Sequence, residues 1–240
     1  MVSVLVTGAN RGIGLGLVRQ LVQEPSVSIV IATARNVDSA KDLKEIDNPK
    51  LHLVSLDTVN EESIAKAHEE VSEIVGDNGL DLLINNAGIF KPYELAGPID
   101  KAGLMEQFEV NTVAPILVVN KFYGLLKLAA QKKGSAQIAN ISSALGSLEL
   151  ACGPATYPPT IYNMSKAALN MLTRRLATEW KEDNIRATAF SPGWVRTEMG
   201  SKDAMLSVEE STGPLTKLIL SLTDENNGLF YRHNGEVLPW

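Results

Sequence analysis

Apolar and polar positions along the 240 residues follow two rhythms that alternate. Short, dense apolar runs occur at Val2–Val6, Val27–Thr33, Leu51–Leu56, Leu80–Ile84, Ala136–Ile141 and Ile185–Phe190, with a last short one at Gly228–Tyr231. Between them, apolar residues recur at three- and four-residue intervals. Such stretches run from Gly12 through Leu15, Leu17, Val18, Leu21 and Val22, then over Asp38–Ile46, Glu61–Val75, Asn111–Lys132, Ile161–Lys181 and Ser207–Leu222. The short runs have the length and density of strands buried on both faces, and the longer ones the period of helices. Their alternation predicts an α/β fold, a doubly wound parallel sheet of about seven strands with helices on both faces. No linker, repeat or low-complexity stretch divides the chain, so a single domain spanning 1–240 is expected. In such sheets ligands bind beyond the carboxyl ends of the strands, which makes the residues just after each strand the ones to inspect.

After the first strand, Thr7-Gly8-Ala9-Asn10 turns the chain and Gly12-Ile13-Gly14-Leu15 opens a helix. The first N–H groups of a helix lack intrahelical partners and its dipole favours negative charge there, so this corner is an anion site. Glycines let a pyrophosphate approach the backbone with no Cβ in the way. The spacing, Gly8-x3-Gly12-x-Gly14, is not the commoner G-x-G-x-x-G, and a Gly-rich turn alone also serves as a plain strand-to-helix corner. After the second strand comes Ala34-Arg35. A site that prefers NAD places a carboxylate about twenty residues past the glycines, on the ribose 2′-OH. Here position 34 is alanine and its neighbour is a permanent cation, able to bind a 2′-phosphate and to stack on adenine. Arg11 adds a second charge and Asn10 a donor. Singly, each arginine reads as a solvated surface residue; together, with the acid missing, they predict NADP(H).

Bulk properties narrow the partners. The chain is 45% hydrophobic and 21% charged with a net charge of −6, and its pI is near 5.2. That balance argues against a nucleic-acid or anionic-membrane surface. One cysteine, Cys152, excludes an internal disulfide and fits a reducing compartment. The first strand follows Met1 almost at once, no apolar run approaches the ~20 residues that span a bilayer, and the LPW ending is not a usual targeting tripeptide. The cytoplasm is the expected location. His52, His68 and His233 are scattered, and no metal site is expected.

The TGxxxGxG turn resembles that of the short-chain dehydrogenases/reductases, a Rossmann-type family, and the resemblance runs from Val2 to Trp240. After the third strand, Asp57, followed by Thr58, is similar to the family's adenine-contacting aspartate, though a helix-capping role is equally open. After the fourth, Asn85-Asn86-Ala87-Gly88 resembles the NNAG motif that stabilises the sheet and walls the adenine-ribose pocket. Asn111, in EVNTVAP, reads as an N-cap of the long helix and, by the resemblance, as a relay holding a water beside the catalytic lysine, two roles that are compatible. After the sixth strand, Pro192-Gly193-Trp194-Val195-Arg196-Thr197 resembles PGxVxT, whose backbone and threonine hold the nicotinamide carboxamide and diphosphate and so decide which ring face is presented. TGANRGIG, TAR, SPGWVRTEMG, LPW and an extended loop before Tyr162 look most like the cytosolic carbonyl reductases of the sniffer type.

The chemistry centres on Ser142-Ser143 after the fifth strand and on Tyr162 and Lys166, spaced i and i+4 on one helical face. A carbonyl that accepts hydride becomes an alkoxide and must take a proton. Tyrosine can give one, but its ordinary pKa of ~10 makes tyrosinate rare at neutral pH. A nearby ammonium and an oxidised nicotinamide favour tyrosinate, and reaching ~7 requires about 4 kcal/mol. By resemblance Tyr162 is the acid/base, Ser143 polarises the carbonyl, and Lys166 also grips the nicotinamide ribose; Ser142 is the weaker choice. Tyr157, nine residues before Lys166 with two prolines between, is a decoy. Residues near 144–160 are expected to form a substrate loop holding Cys152, an incidental thiol, and residues near 198–210 a lid. Trp194, Met199, Met205 and Leu206 are either an apolar substrate wall or ordinary packing. Competing readings are another short-chain reductase, acting on 3-oxoacyl, steroid or pterin substrates, and an NADPH-sensing protein without turnover, which would be expected to lack the tyrosine or lysine. No G-x-S-x-G elbow supports a hydrolase. Helices 111–132 and 161–181 correspond to those that pair across family dimers, with Phe122, Leu125, Leu169 and Leu172 either at a homodimer interface or facing the sheet.

Overall fold

The computed structural model describes residues 1–93, 97–150 and 160–240. Seven parallel strands line up as β3-β2-β1-β4-β5-β6-β7, with β1 Val2–Val6, β2 Val27–Ala34, β3 Leu51–Ser55, β4 Leu82–Asn85, β5 Ala136–Ile141, β6 Ile185–Ser191 and β7 Phe230–Arg232. Side chains alternate between two cores along every inner strand, as the two-residue period of a strand requires. Leu5, Ile31, Leu83, Ile138 and Ala187 face a layer made by α3 (Glu61–Val75), α5 (Ala114–Lys133) and α6 (Thr160–Glu179). Val4, Val6, Val30, Ala32, Ile84, Ala139 and Phe190 face the other layer, made by α1 (Gly12–Leu21), α2 (Lys41–Lys44) and α7 (Val208–Ser221). Phe122 and Phe190, one in each core, are fully buried, each adding about 2–3 kcal/mol of apolar transfer. The chain order reverses between β1 and β4, so a crevice opens at their carboxyl ends.

Three expectations change. The stretch Asp38–Ile46 is not one helix. Asn36 accepts from Asp38 and Ser39 N–H to start a 3-10 turn over Val37–Ser39, and only α2 follows. The long helix begins ten residues earlier than Asn111: α4, Lys101–Phe108, is capped by the Asp100 carboxylate, which accepts from Ala102 and Gly103 N–H at 3.0 and 3.1 Å. It continues into α5 through a π-helical turn at Glu109–Val113. Lys101–Lys133 is therefore 33 residues long, and by length and composition it could cross a membrane, contrary to the expectation that no stretch approaches that length. Half of its most apolar window is buried in this fold, against α3 and the sheet.

Candidate active site

The glycine corner is built by its neighbour across the sheet. Thr7 Oγ1 accepts from the N–H groups of Asn86 and Ala87, both at 3.0 Å, and Asn86 Nδ2 donates to the carbonyls of Thr7 (2.9 Å) and Gly8 (3.0 Å). Gly8 takes φ +63°, and a Cβ there would sit 2.9 Å from Ala87 Cα. On Gly14 a Cβ would meet Gly8 O at 2.3 Å and Asn86 Nδ2 at 2.5 Å, so neither position admits a side chain. No side chain caps α1, which leaves its first N–H groups free for an anion. Gly14→Ala is expected to lower stability by about 1–3 kcal/mol and to abolish dinucleotide binding, read by thermal melting and fluorescence titration. Unchanged binding would contradict the cradle.

Asn10, Arg11 and Arg35 are exposed along the rim of this corner. Arg35 makes no ion pair among the described residues, whereas Arg11 pairs with Glu198 from the segment after β6. Arg11 thus already has an anionic partner, which the sequence did not suggest. Asp57 caps no helix. Its Oδ1 accepts from Val59 N–H at 3.2 Å, while Asn60 caps α3 through Ser63 N–H at 2.8 Å. Thr58 lies near Thr7, Asn85 and Ala87, at the crevice between β1 and β4.

At the ends of β5 and the start of α6, Ser143, Tyr162 and Lys166 come together. The Ser143 hydroxyl hydrogen-bonds Tyr162. Lys166, 5% exposed, donates from Nζ to the Ile141 carbonyl at 2.9 Å and lies 5.7 Å from the Tyr162 ring centroid. Phe90 packs edge-on against Tyr162, ring centroids 5.2 Å apart. Ser142 is a different kind of residue: 2% exposed, it donates to Asn170 Oδ1 at 2.6 Å. The expected acidification of the phenol is reversed in the protein itself. Burial pushes Tyr162 up to about 12, opposed by the bond to Ser143, and burial lowers Lys166 to about 8. Desolvation outweighs the Ser143 hydrogen bond here.

Residues 3–205 match the sequence model of the short chain dehydrogenases. The chain belongs to this family. It is similar in structure to the carbonyl reductase Sniffer of D. melanogaster, 34% identical with TM-score 0.94 and full coverage of both chains. It is equally similar to an NADPH-bound carbonyl reductase from chicken fatty liver, 38% identical with TM-score 0.94 over 99% of this chain and 98% of that one. A short-chain dehydrogenase of Pyricularia oryzae is 32% identical across 99% of this chain and 98% of its own. The protein is an oxidoreductase of a family that uses a nicotinamide cofactor.

Other residues of this short-chain dehydrogenase sit where sequence reasoning placed them only in part. Asn111 is not an N-cap; it lies in the π-helical turn. Its Oδ1 accepts from Ile89 N–H (2.8 Å) and its Nδ2 donates to Ile89 O (2.9 Å) and Ser165 Oγ (3.1 Å), which uses both amide hydrogens and one of the two oxygen lone pairs. Pro115 has no N–H, so the Asn111 carbonyl four residues back lacks its α-helical donor; the ladder widens there. A Cβ on Gly88 would lie 3.2 Å from Asn111 Oδ1 and 3.6 Å from Lys166 Nζ, so glycine leaves both heads facing one small space.

After β6, Pro192 O accepts from Ser211 Oγ at 2.7 Å, Gly193 takes φ +84°, and Thr197 lies 3.4 Å from where a Gly12 Cβ would be. Val195 and Leu206 pair across the neck of a loop, 195–206. Of the stretch 198–210, where a lid was expected, the last residues belong to α7, which a capping box of Ser207 and Glu210 starts. Trp194, Met199 and Met205 are 52%, 47% and 79% exposed, so they are not ordinary packing. Most of the substrate loop, with Cys152 and Tyr157, lies outside the described residues.

Sequence reasoning missed Thr7 as the anchor of the glycine corner. It also missed a buried relay of amides: Asn85 Nδ2 donates to Asn140 Oδ1, and Asn140 Nδ2 to Thr173 Oγ1, both at 2.8 Å. Asn140 inside one apolar strand run and Asn85 at the end of another were the available signal, since a buried amide needs partners.

Proposed function

We propose that this protein is an NADPH-dependent carbonyl reductase that reduces an aldehyde or ketone with Tyr162 as proton donor. The observation that carries this reading is the meeting of Ser143, Tyr162 and Lys166 beside a glycine cradle that a single Cβ would fill. The bound nicotinamide would supply the hydride. Gly8, Gly12, Ile13 and Gly14 would lie along the diphosphate, with Asn10, Arg11 and Arg35 at the 2′-phosphate. Asp57 and Thr58 would flank adenine, and Asn86, Ala87 and Gly88 would wall the ribose pocket. Pro192, Gly193, Val195 and Thr197 would hold the carboxamide side, and Asn111 would support Lys166.

The Ser143 hydroxyl would donate to the carbonyl oxygen and steady the growing charge. Tyr162 Oη would give its proton to the alkoxide, and the Lys166 ammonium would stabilise the tyrosinate left behind. With Tyr162 held up near 12 and Lys166 at about 8, pH 7 finds the proton on the phenol and the charge on the amine, the state that reduction requires. Lys166 is charged below about 8 and loses its proton above it. The rate of reduction at saturating NADPH is therefore expected to fall tenfold per pH unit above that point; a profile flat to pH 10 would contradict the role of Lys166. Quinones, dicarbonyls, aromatic aldehydes and steroids, each tried with NADPH and NADH, test the reading. NADPH binding without turnover of any of them would favour the sensing alternative.

We further propose a homodimer through helices 111–132 and 161–181, but not through the residues first considered. Phe122, Leu125 and Leu169 are at most 9% exposed, and Leu172 packs against the same core. The outward residues are Val113 and Ile116 on one helix and Met164 and Met171 on the other, 42–62% exposed. Sedimentation at 10–50 µM, roughly the range where such faces associate, is expected to show a dimer, and a monomer there removes the proposal.

A further inference from the structure

We propose that Trp240 is a positioning residue that fixes residues 147–150, just past the catalytic serine, and through them the grip on a wide substrate. The inference rests on the reductase reading of Ser143 and Tyr162. Beyond β7 the chain turns at 233–236, where Gly235 N–H donates to Arg232 O at 3.0 Å, and Arg232 N–H to Glu236 O at 2.8 Å. It runs back antiparallel, Val237 opposite Tyr231 and Leu238 N–H on Phe230 O at 2.7 Å. That return brings Trp240 to the carboxyl end of β5. Its indole stacks on buried Phe230, centroids 5.4 Å apart at 22°, and the Arg174 guanidinium lies 5.7 Å from the ring. Arg174 is itself held by the Gly228 carbonyl at 2.9 Å.

So fixed, the Trp240 oxygen gathers three donors from one short stretch: Leu148 N–H at 2.8 Å, Glu149 N–H at 3.2 Å and Ser147 Oγ at 3.2 Å. Ser147 Oγ accepts in turn from Leu150 N–H at 3.1 Å. These residues begin four positions after Ser143. Leu148 and Leu150 stand 73% and 45% exposed, as anchored apolar residues at a mouth would.

The serine is held separately. Ala144 N–H donates to Ser191 Oγ at 3.0 Å, Ser142 N–H to Phe190 O at 2.7 Å, and Asn170 Nδ2 to Gly146 O at 3.0 Å. Those ties come from β6 and α6, so loss of the Trp240 ring reaches residues 147–150 and leaves the Ser143–Tyr162 pair in place. Binding of a wide carbonyl suffers and chemistry does not.

The test compares steady-state reduction of 9,10-phenanthrenequinone, wide and rigid, with that of butane-2,3-dione, in wild type, Trp240→Ala and Trp240→Phe. Trp240→Ala is expected to raise KM for the quinone about tenfold, with its kcat, both constants for the dione and NADPH affinity within about twofold. Trp240→Phe keeps the stack and is expected to return KM to within about threefold of wild type. An unchanged quinone KM, equal losses on both substrates, or a kcat that falls with KM overturns the proposal. If Trp240→Ala does not fold, Leu148→Pro removes the 2.8 Å donor, and Ser147 at φ −75°, ψ 126° already has a backbone that tolerates a following proline. It carries the same expectation. A wild type that reduces neither probe overturns the reductase reading and this inference together; an active wild type matched by Trp240→Ala overturns this inference alone.

Discussion

Tyr162→Phe is expected to lower kcat for carbonyl reduction by about 10³-fold while NADPH affinity stays within about twofold. The substitution removes one oxygen from a ring whose packing against Phe90 and Lys166 is otherwise kept. What disappears is the proton donor and the hydrogen bond to Ser143. A 10³-fold loss corresponds to about 4 kcal/mol of transition-state stabilisation, within reach of a half-buried phenol whose conjugate base is met by an ammonium. Ser143→Ala leaves the proton donor and removes only the polarising hydroxyl, so its loss should be smaller, about 10²-fold. Rapid-quench measurement with bound NADPH separates these effects from binding. A Tyr162→Phe variant that retains a tenth or more of wild-type kcat would remove Tyr162 from the chemistry.

Arg35→Asp is expected to raise KM for NADPH about 100-fold and to leave or improve that for NADH. The cation at this rim makes no other ion pair among the described residues, so its charge is available to a 2′-phosphate. Charge-assisted bonds to phosphate contribute about 1.5–3 kcal/mol, and the new carboxylate would repel the phosphate while accepting from a ribose 2′-OH. Arg11→Ala should cost NADPH less, about threefold, because Glu198 already neutralises Arg11. The ratio of kcat/KM for the two coenzymes reads both variants. Parallel losses with NADPH and NADH after Arg35→Asp would show that this residue supports the fold and does not read the phosphate.

Much of this was legible in the chain because the signals are local. A strand buried on both faces is a short apolar run, and the seven runs named the seven strands, with ends displaced by one or two residues. Glycines with no room for a Cβ, an i,i+4 Tyr–Lys pair and a turn after each strand are likewise carried by a few consecutive residues. What was not legible depends on contacts across the sheet. Thr7 orders the glycine corner through Asn86 and Ala87, eighty positions away. The π-helical turn at Asn111 follows from Pro115 combined with the capping of α4 at Asp100, and the apolar period alone put the helix start at the wrong residue. In the protein alone Tyr162 shifts upward, opposite to the direction expected beside an ammonium and an oxidised nicotinamide, because burial cannot be read from spacing. Leu125 and Leu169 read as equally fit for an interface or a core, and only the packing against the sheet decides.

The central claim is hydride delivery to a carbonyl held between Ser143 and Tyr162. The most direct measurement is a single turnover of NADPH deuterated at the transferable C4 position with an aromatic aldehyde such as 4-nitrobenzaldehyde, followed by NMR of the alcohol product. The account predicts deuterium on the carbinol carbon with a primary isotope effect of about 2 or more on the coenzyme's disappearance. Coenzyme that binds and stays reduced, or deuterium that appears in solvent and not on that carbon, would contradict it.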